Sequence, residues 1–158
     1  MSNYRRPRIS GATIFFTVSL QERGGDLLLR EIDRLRAAVR QTKAERPFKI
    51  DSWVVLPDHL HCIWRLPEGD DDFPLRWRLI KARFSIGLEA SPERFSLLRR
   101  REKGIWQRRY WEHHIRDRAD WENHLRYCWF NPVKHGLAAS PSDWAFSSFH
   151  RDRDLYGM

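Results

Sequence analysis

Apolar residues fall along this chain in short dense runs separated by charged punctuation, and the spacing inside each run predicts an element. Ala12 to Leu20 (ATIFFTVSL) is rich in β-branched and aromatic residues and stops at Gln21-Glu22-Arg23-Gly24-Gly25, the pattern of a buried strand. The period then changes. Leu28, Ile32, Leu35 and Val39 recur at steps of four, three and four, with Arg30, Asp33, Arg34, Arg36 and Arg40 on other faces. That spacing predicts an amphipathic helix from about Asp26 to Glu45, closed by Pro47. Phe48 to Leu56 alternates and then turns continuously apolar, Pro57-Asp58 interrupts, and His59 to Leu66 (HLHCIWRL) follows as a further strand, so the pair predicts a hairpin. After the acidic stretch Pro67 to Asp72, Pro74 suits a first helical turn. Leu75, Leu79, Ala82 and Ile86 then trace one face of a second helix, with Arg76, Arg78, Lys81 and Arg83 on the other. Ser91 to Lys103 reads as a basic loop, Ile105 to Ile115 as a strand, and Asp120 to about Phe130 as a third helix with Trp121, Leu125 and Cys128 on its apolar side.

The order is strand, helix, strand, strand, helix, strand, helix. Its first six elements match the ferredoxin-like β-α-β-β-α-β pattern, an α+β fold with helices on one face of an antiparallel sheet, followed here by a C-terminal helix. With 158 residues, 41% hydrophobic and 8 Trp and 9 Phe among them, the chain has material for a real core and suits one domain over 1–158. The stretch 1–10, with Arg5, Arg6 and Arg8, reads as a flexible basic arm. No run approaches the roughly 20 apolar residues of a membrane span, and no long apolar stretch follows the N-terminal arginines, so a cytoplasmic location is expected. Cys62 and Cys128 form no C-x-x-C pair, which argues against a disulfide scaffold or thiolate zinc site.

Charge adds a partner class. Against 21 Asp+Glu stand 29 Lys+Arg, a formal charge of +8, and such an excess favours polyanions because neutralising phosphates releases counterions. The excess is concentrated between Arg99 and Arg118, where Arg99, Arg100, Arg101, Lys103, Arg108, Arg109, Arg116 and Arg118 alternate with Trp106, Tyr110 and Trp111. Two readings are open: a phosphate track with stacking surfaces, or a solvated face whose aromatics point into the core.

The candidate chemistry sits elsewhere. His59 and His61 stand two apart in a strand, so both imidazoles leave one face of the sheet and either share a metal ion or fall together by chance at a strand edge, while Leu60 and Cys62 point to the opposite face. On the third helix, Tyr127 and Asn131 are four apart with His124 near the same stripe, beside the apolar face. Tyr127 can thus reach from the core's edge to a site on the sheet. For Asn131 a second reading competes, as N-cap of a short helix starting at Pro132 and ended by Gly136.

Taken together, Val54 to Trp64 (VVLPDHLHCIW), Ile105 to Asp117 (IWQRRYWEHHIRD), Arg126 to Leu137 (RYCWFNPVKHGL), Pro141-x-Asp143-Trp144 and Ser147-Ser148 resemble the REP-associated tyrosine transposases, a branch of the single-tyrosine HUH transposases. The match runs over nearly the whole chain, with Cys128-Trp129-Phe130 bulkier than the usual residues before Asn-Pro. The resemblance implies that His59 and His61 are the HUH pair, Tyr127 the nucleophile and Asn131 a third metal ligand. It implies an enzyme, monomer or homodimer, that nicks and rejoins single-stranded or hairpin DNA through a 5′-phosphotyrosine. Mg2+ or Mn2+ suits such a ligand set, which leaves positions open for phosphate oxygens. The basic residues Arg99, Arg100, Arg101, Lys103, Arg108, Arg109 and Arg116 would hold the DNA. The alternative is a domesticated relative that binds DNA hairpins without cutting.

Overall fold

A computed structural model describes residues 5–88 and 104–157. Four strands, β1 (Thr13–Ser19), β2 (Lys49–Val55), β3 (His59–Arg65) and β4 (Trp111–His114), form one antiparallel sheet in the order β2-β3-β1-β4. This is the split β-α-β-β-α-β order the sequence predicts. β2 and β3 form the expected hairpin: Val55 pairs with Leu60, and the Leu56 amide donates to the His59 carbonyl at 2.8 Å.

Alternation along β1 and β3 divides the apolar side chains between two cores. Ile14, Phe16, Val18, Leu60, Cys62 and Trp64 face α2 (Ile32–Glu45) and α3 (Phe73–Ser85), meeting Leu35, Ala38, Phe73, Trp77, Ile80 and Phe84. Phe15 and Ile63 face the other way, with Val54 of β2, against Leu125, Cys128 and Trp129 of α4 (Arg118–Lys134). Each fully buried Val, Leu, Ile or Phe among them contributes about 1.5–3 kcal/mol relative to exposure. The sheet is therefore covered on both faces, by α2 and α3 on one and by α4 on the other. The bulky Cys128 and Trp129 fill the second core, and Phe130 turns out to solvent.

Four local readings change. The first helix is interrupted at Glu31, with α1 (Leu27–Arg30) preceding α2. In α3 the buried stripe is Phe73, Trp77, Ile80 and Phe84, while Ile86 is exposed. The stripe is displaced by two residues because the aromatics offer more apolar area than Leu75, Leu79 and Ala82. Burying that side also buries Arg76, which donates to Asp70, at 2.7 and 3.0 Å, and to the carbonyls of Arg46, Pro47 and Asp72. β4 is short: Trp106 bridges Leu20 and Trp111 pairs with Thr17, so five steps of one strand span three of the other and the ladder breaks between them. Finally, α4 starts on an Asp117 cap and runs without interruption through Asn131 and Pro132, ending in a turn where Gly136 takes φ +71°. The N-cap reading of Asn131 falls, because the helix supplies its backbone environment already.

The C-terminal segment braces the open edge of β2. The Ser148 amide donates to the Trp53 carbonyl and the Val55 amide to the Phe146 carbonyl. Trp144 Nε1 donates to the Val55 carbonyl, and Ser148 Oγ and Trp129 Nε1 both donate to the buried carboxylate of Asp152 in α5 (Phe149–Tyr156). A capped edge cannot template pairing with another strand. Among the described residues, no helix is long and apolar enough to cross a membrane.

Candidate active site

Because β3 alternates, His59 and His61 emerge on the α4 face with ring centroids 5.0 Å apart, and both are nearly buried. Each ring is held through Nδ1. His59 Nδ1 lies 2.7 Å from Asp58 Oδ1, and His61 Nδ1 lies 2.8 Å from Thr17 Oγ1 on the neighbouring strand. In the tautomer whose Nδ1–H donates to Asp58 or Thr17, the Nε2 lone pair is left to bind. Asp58 is itself fixed, its Oδ2 accepting from Arg23 Nε and from the amide of Gly24. Gly24 sits at φ +92°, where a Cβ is disfavoured. Burial works to raise the Asp58 carboxyl, but the Gly24 amide, His59 and Arg23 outweigh it and hold it at about 2. Burial lowers both imidazoles: His59 against the pull of Asp58, and His61 to about 3 with the adjacent His59 adding to the effect. Both shifts favour the neutral ring, the form that donates a lone pair.

Helix α4 crosses this face and brings Tyr127 onto the pair. The Tyr127 ring stands edge-on to His61 at 5.1 Å and to Phe15 at 5.7 Å, half exposed, with Lys134 Nζ 5.3 Å from its centroid. One turn further, Asn131 is 1% exposed, and neither its Oδ1 nor its Nδ2 has a hydrogen-bond partner. At the end of the helix the ring of His135 comes within 5.4 Å of His59.

The structure therefore brings His59, His61 and Tyr127 together and buries Asn131 on the same helix face. The basic stretch divides differently. Arg99, Arg100, Arg101 and Lys103 lie outside the described residues. Arg108 and Arg109 are exposed in the break before β4, and Arg116 is exposed but donates to Asp120. Of the interleaved aromatics, Trp106 packs against Phe84 and Tyr110 against Phe16 and Trp77, so both serve the core. Trp111 alone of the three is exposed, at 65%, on the same sheet face as His61, since both pair with Thr17. Arg6 lies over the Tyr110 ring and pairs with Glu112.

Several contributors are not visible as chemistry in the sequence. Asp58 reads as turn punctuation, though its adjacency to His59 is a usable signal. Thr17 belongs to a strand 44 residues away from His61, and nothing local marks it. A separate group, His113, Asp120 and His124, brings its ligand atoms within 4.8 Å of one another and is a candidate metal-holding cluster that the spacing alone does not announce.

Fold and site together define a class: an α+β protein whose antiparallel sheet presents a His-hydrophobic-His pair to a tyrosine on the covering helix. The chain is 51% identical over 160 residues to the REP-associated tyrosine transposase of Escherichia coli (strain K12), a match covering 99% of this chain and 88% of that protein. A solved structure of a REP-associated tyrosine transposase bound to a REP hairpin superposes with a TM-score of 0.83 at 50% identity, covering 96% of this chain and 85% of that one. No family model matches. The chain belongs to the REP-associated tyrosine transposases.

Proposed function

We propose that this protein is a transposase that cuts and rejoins single-stranded DNA bearing hairpins, with Tyr127 as nucleophile and His59, His61 and Asn131 as the holders of a divalent cation. The observation that carries the reading is the Tyr127 ring against His61, one helical turn from a buried Asn131 amide without a partner. A buried amide left unpaired costs about 1–3 kcal/mol, so a ligand for it is the economical explanation. Two neutral imidazoles with Nδ1 occupied and one carboxamide oxygen fit a divalent ion. Bound there, Mg2+ or Mn2+ would polarise the scissile phosphate.

The chain's own residues supply the remainder. Asp58 and Thr17 fix the two imidazoles, so no reorientation is needed when the phosphate arrives. Lys134, beside the Tyr127 ring, puts positive charge where the phosphodiester must approach. The phenol oxygen forms the new bond to phosphorus, the bond from phosphorus to the 3′ oxygen breaks, and the phenol's proton ends on the released 3′-hydroxyl. The phosphoester is conserved in the 5′-phosphotyrosine, so a later 3′-hydroxyl reverses the step without an added energy source. Arg108, Arg109 and Arg116 contribute backbone contacts to the DNA. Such a substrate fits a cytoplasmic protein working as monomer or homodimer.

The test is covalent capture with labelled hairpin DNA carrying single-stranded flanks. With Mn2+ or Mg2+ the wild type yields a protein-DNA adduct, and His59→Ala yields none while binding the hairpin as before. Binding without an adduct across metals and flanking sequences would overturn the enzymatic reading in favour of a non-cutting hairpin binder.

Trp111 provides a second expectation. An exposed indole on the site's face is a stacking platform for an unpaired base, worth about 1–3 kcal/mol. Trp111→Ala should weaken binding of a flanked hairpin by roughly 5- to 150-fold in fluorescence anisotropy, with an unchanged melting temperature because the side chain is largely solvated. Equal affinity would remove Trp111 from the DNA surface.

A further inference from the structure

A second group of ligands lies on the same sheet face, on the β4 side of Phe15. Residue His113 projects from β4, and Asp120 and His124 stand four apart on α4, so two elements converge on one point. Asp120 Oδ2 lies 2.8 Å from His113 Nε2, and Asp120 Oδ1 lies 3.1 Å from His124 Nδ1. The two imidazoles stack with centroids 4.6 Å apart and planes 19° apart. Asp120 is buried at 7% exposure, while the side chains of His113 and His124 keep 28% and 25%. The carboxylate is thus buried, and both rings are partly open to solvent.

We propose that His113, Asp120 and His124 form a binding site for a borderline transition-metal ion such as Zn2+ or Co2+, separate from the His59 and His61 pair. Two imidazoles and one carboxylate are a donor set for zinc-like ions, with a fourth position left for water. Bonds of about 2.0–2.1 Å place donor atoms roughly 3.3–4.2 Å apart, so with all the atoms already within 4.8 Å of one another, the ion would open the two contacts to Asp120 by a few tenths of an ångström and displace the protons they share. Arg116 Nε, 3.3 Å from Asp120 Oδ2, is the competing cation, and its side chain is 76% exposed and can swing away. His124 Nδ1 also lies 2.8 Å from its own helix's Asp120 carbonyl, a contact that the ion would replace.

The two sites cannot share an ion. His61 pairs with Thr17 and His113 with Phe15, on strands flanking β1 and two positions out of step. With strands about 4.8 Å apart, the two are separated by roughly 10 Å or more, well beyond the ~4 Å of a two-metal centre. What the second ion would do is mechanical: it would tie β4, a strand of four residues at the sheet edge, to α4 three residues before Tyr127. Phe15, which touches both His124 and Tyr127, carries that tie toward the nucleophile.

The experiment uses the full chain stripped of metal and titrated with Co2+ and Zn2+, read by visible absorption and by metal content after dialysis. His59→Ala/His61→Ala should still bind one ion per chain. Adding His124→Gln or His113→Gln to that background should weaken it beyond the roughly 10–100-fold that loss of an outer-shell partner costs. Circular dichroism melts confirm that each variant folds. Absence of binding in the double variant, or binding indifferent to both glutamine substitutions, would overturn the proposal. The first of these outcomes, together with one ion bound by the wild type, would leave the His59 and His61 site intact.

Discussion

Tyr127→Phe should abolish the covalent protein-DNA adduct, lowering strand cleavage by at least about 1,000-fold, or roughly 4 kcal/mol of transition-state stabilisation. The substitution removes a single oxygen. The ring keeps its edge contacts to Phe15 and His61 and its position under Lys134. Because the side chain is 39% exposed, the melting temperature should stay where it is, within about 0.5 kcal/mol of stability. Hairpin affinity should also hold, since the contacts proposed for the DNA are cations and a stacking indole, not the Tyr127 hydroxyl. Denaturing gels of labelled DNA after incubation with Mn2+ read the adduct directly. An adduct from the phenylalanine variant at wild-type yield would exclude Tyr127 as nucleophile and move attention to another group on the face.

Asn131→Leu should separate stability from activity in the opposite direction. In metal-free buffer the wild type buries an amide with no partner, a cost of about 1–3 kcal/mol that a leucine of similar size does not incur. Leucine also suits a helix interior better than asparagine. The variant should therefore be more stable by about 1–2 kcal/mol, a rise in Tm of roughly 2–8 °C for a chain of this size. Adduct formation should fall to background, and Mn2+ should stabilise the variant less than the wild type, because one ligand is gone. A variant that melts lower than wild type without metal would show that the amide already serves the fold, and the ligand role of Asn131 would go with it.

Local periodicity explains why much of the site is legible in one dimension. A strand repeats every two residues, so His59 and His61 must share a face, and Leu60 and Cys62 must reach the opposite core. A helix repeats every 3.6, so Tyr127 and Asn131 must stack one turn apart. The hairpin of β2 and β3 is equally local, set by the Pro57-Asp58 interruption. The α3 stripe shows the limit of the same logic: its sequence offers two apolar faces, and the partner surface chose the aromatic one, with Arg76 buried as a consequence. Asn131-Pro132 shows it again, since a capping pattern is local but the continuous α4 is stabilised by packing along its whole length.

The sequence by itself determined the order of elements from β1 through α4 but not α5, the shared face of the two histidines, the shared stripe of tyrosine and asparagine, and the family. Only the tertiary structure decided that α4 covers the histidine face and not the other. It also decided that Asp58 and Thr17 hold the rings and that Asn131 is left buried and unpaired. Trp111 likewise became the exposed aromatic beside the site, and His113 met Asp120 and His124. The physical reason is the same in each case. These facts depend on contacts between segments far apart in the chain, through β1 pairing with both β3 and β4, and such contacts are selected by how whole surfaces pack, for which no short window of sequence carries a signal.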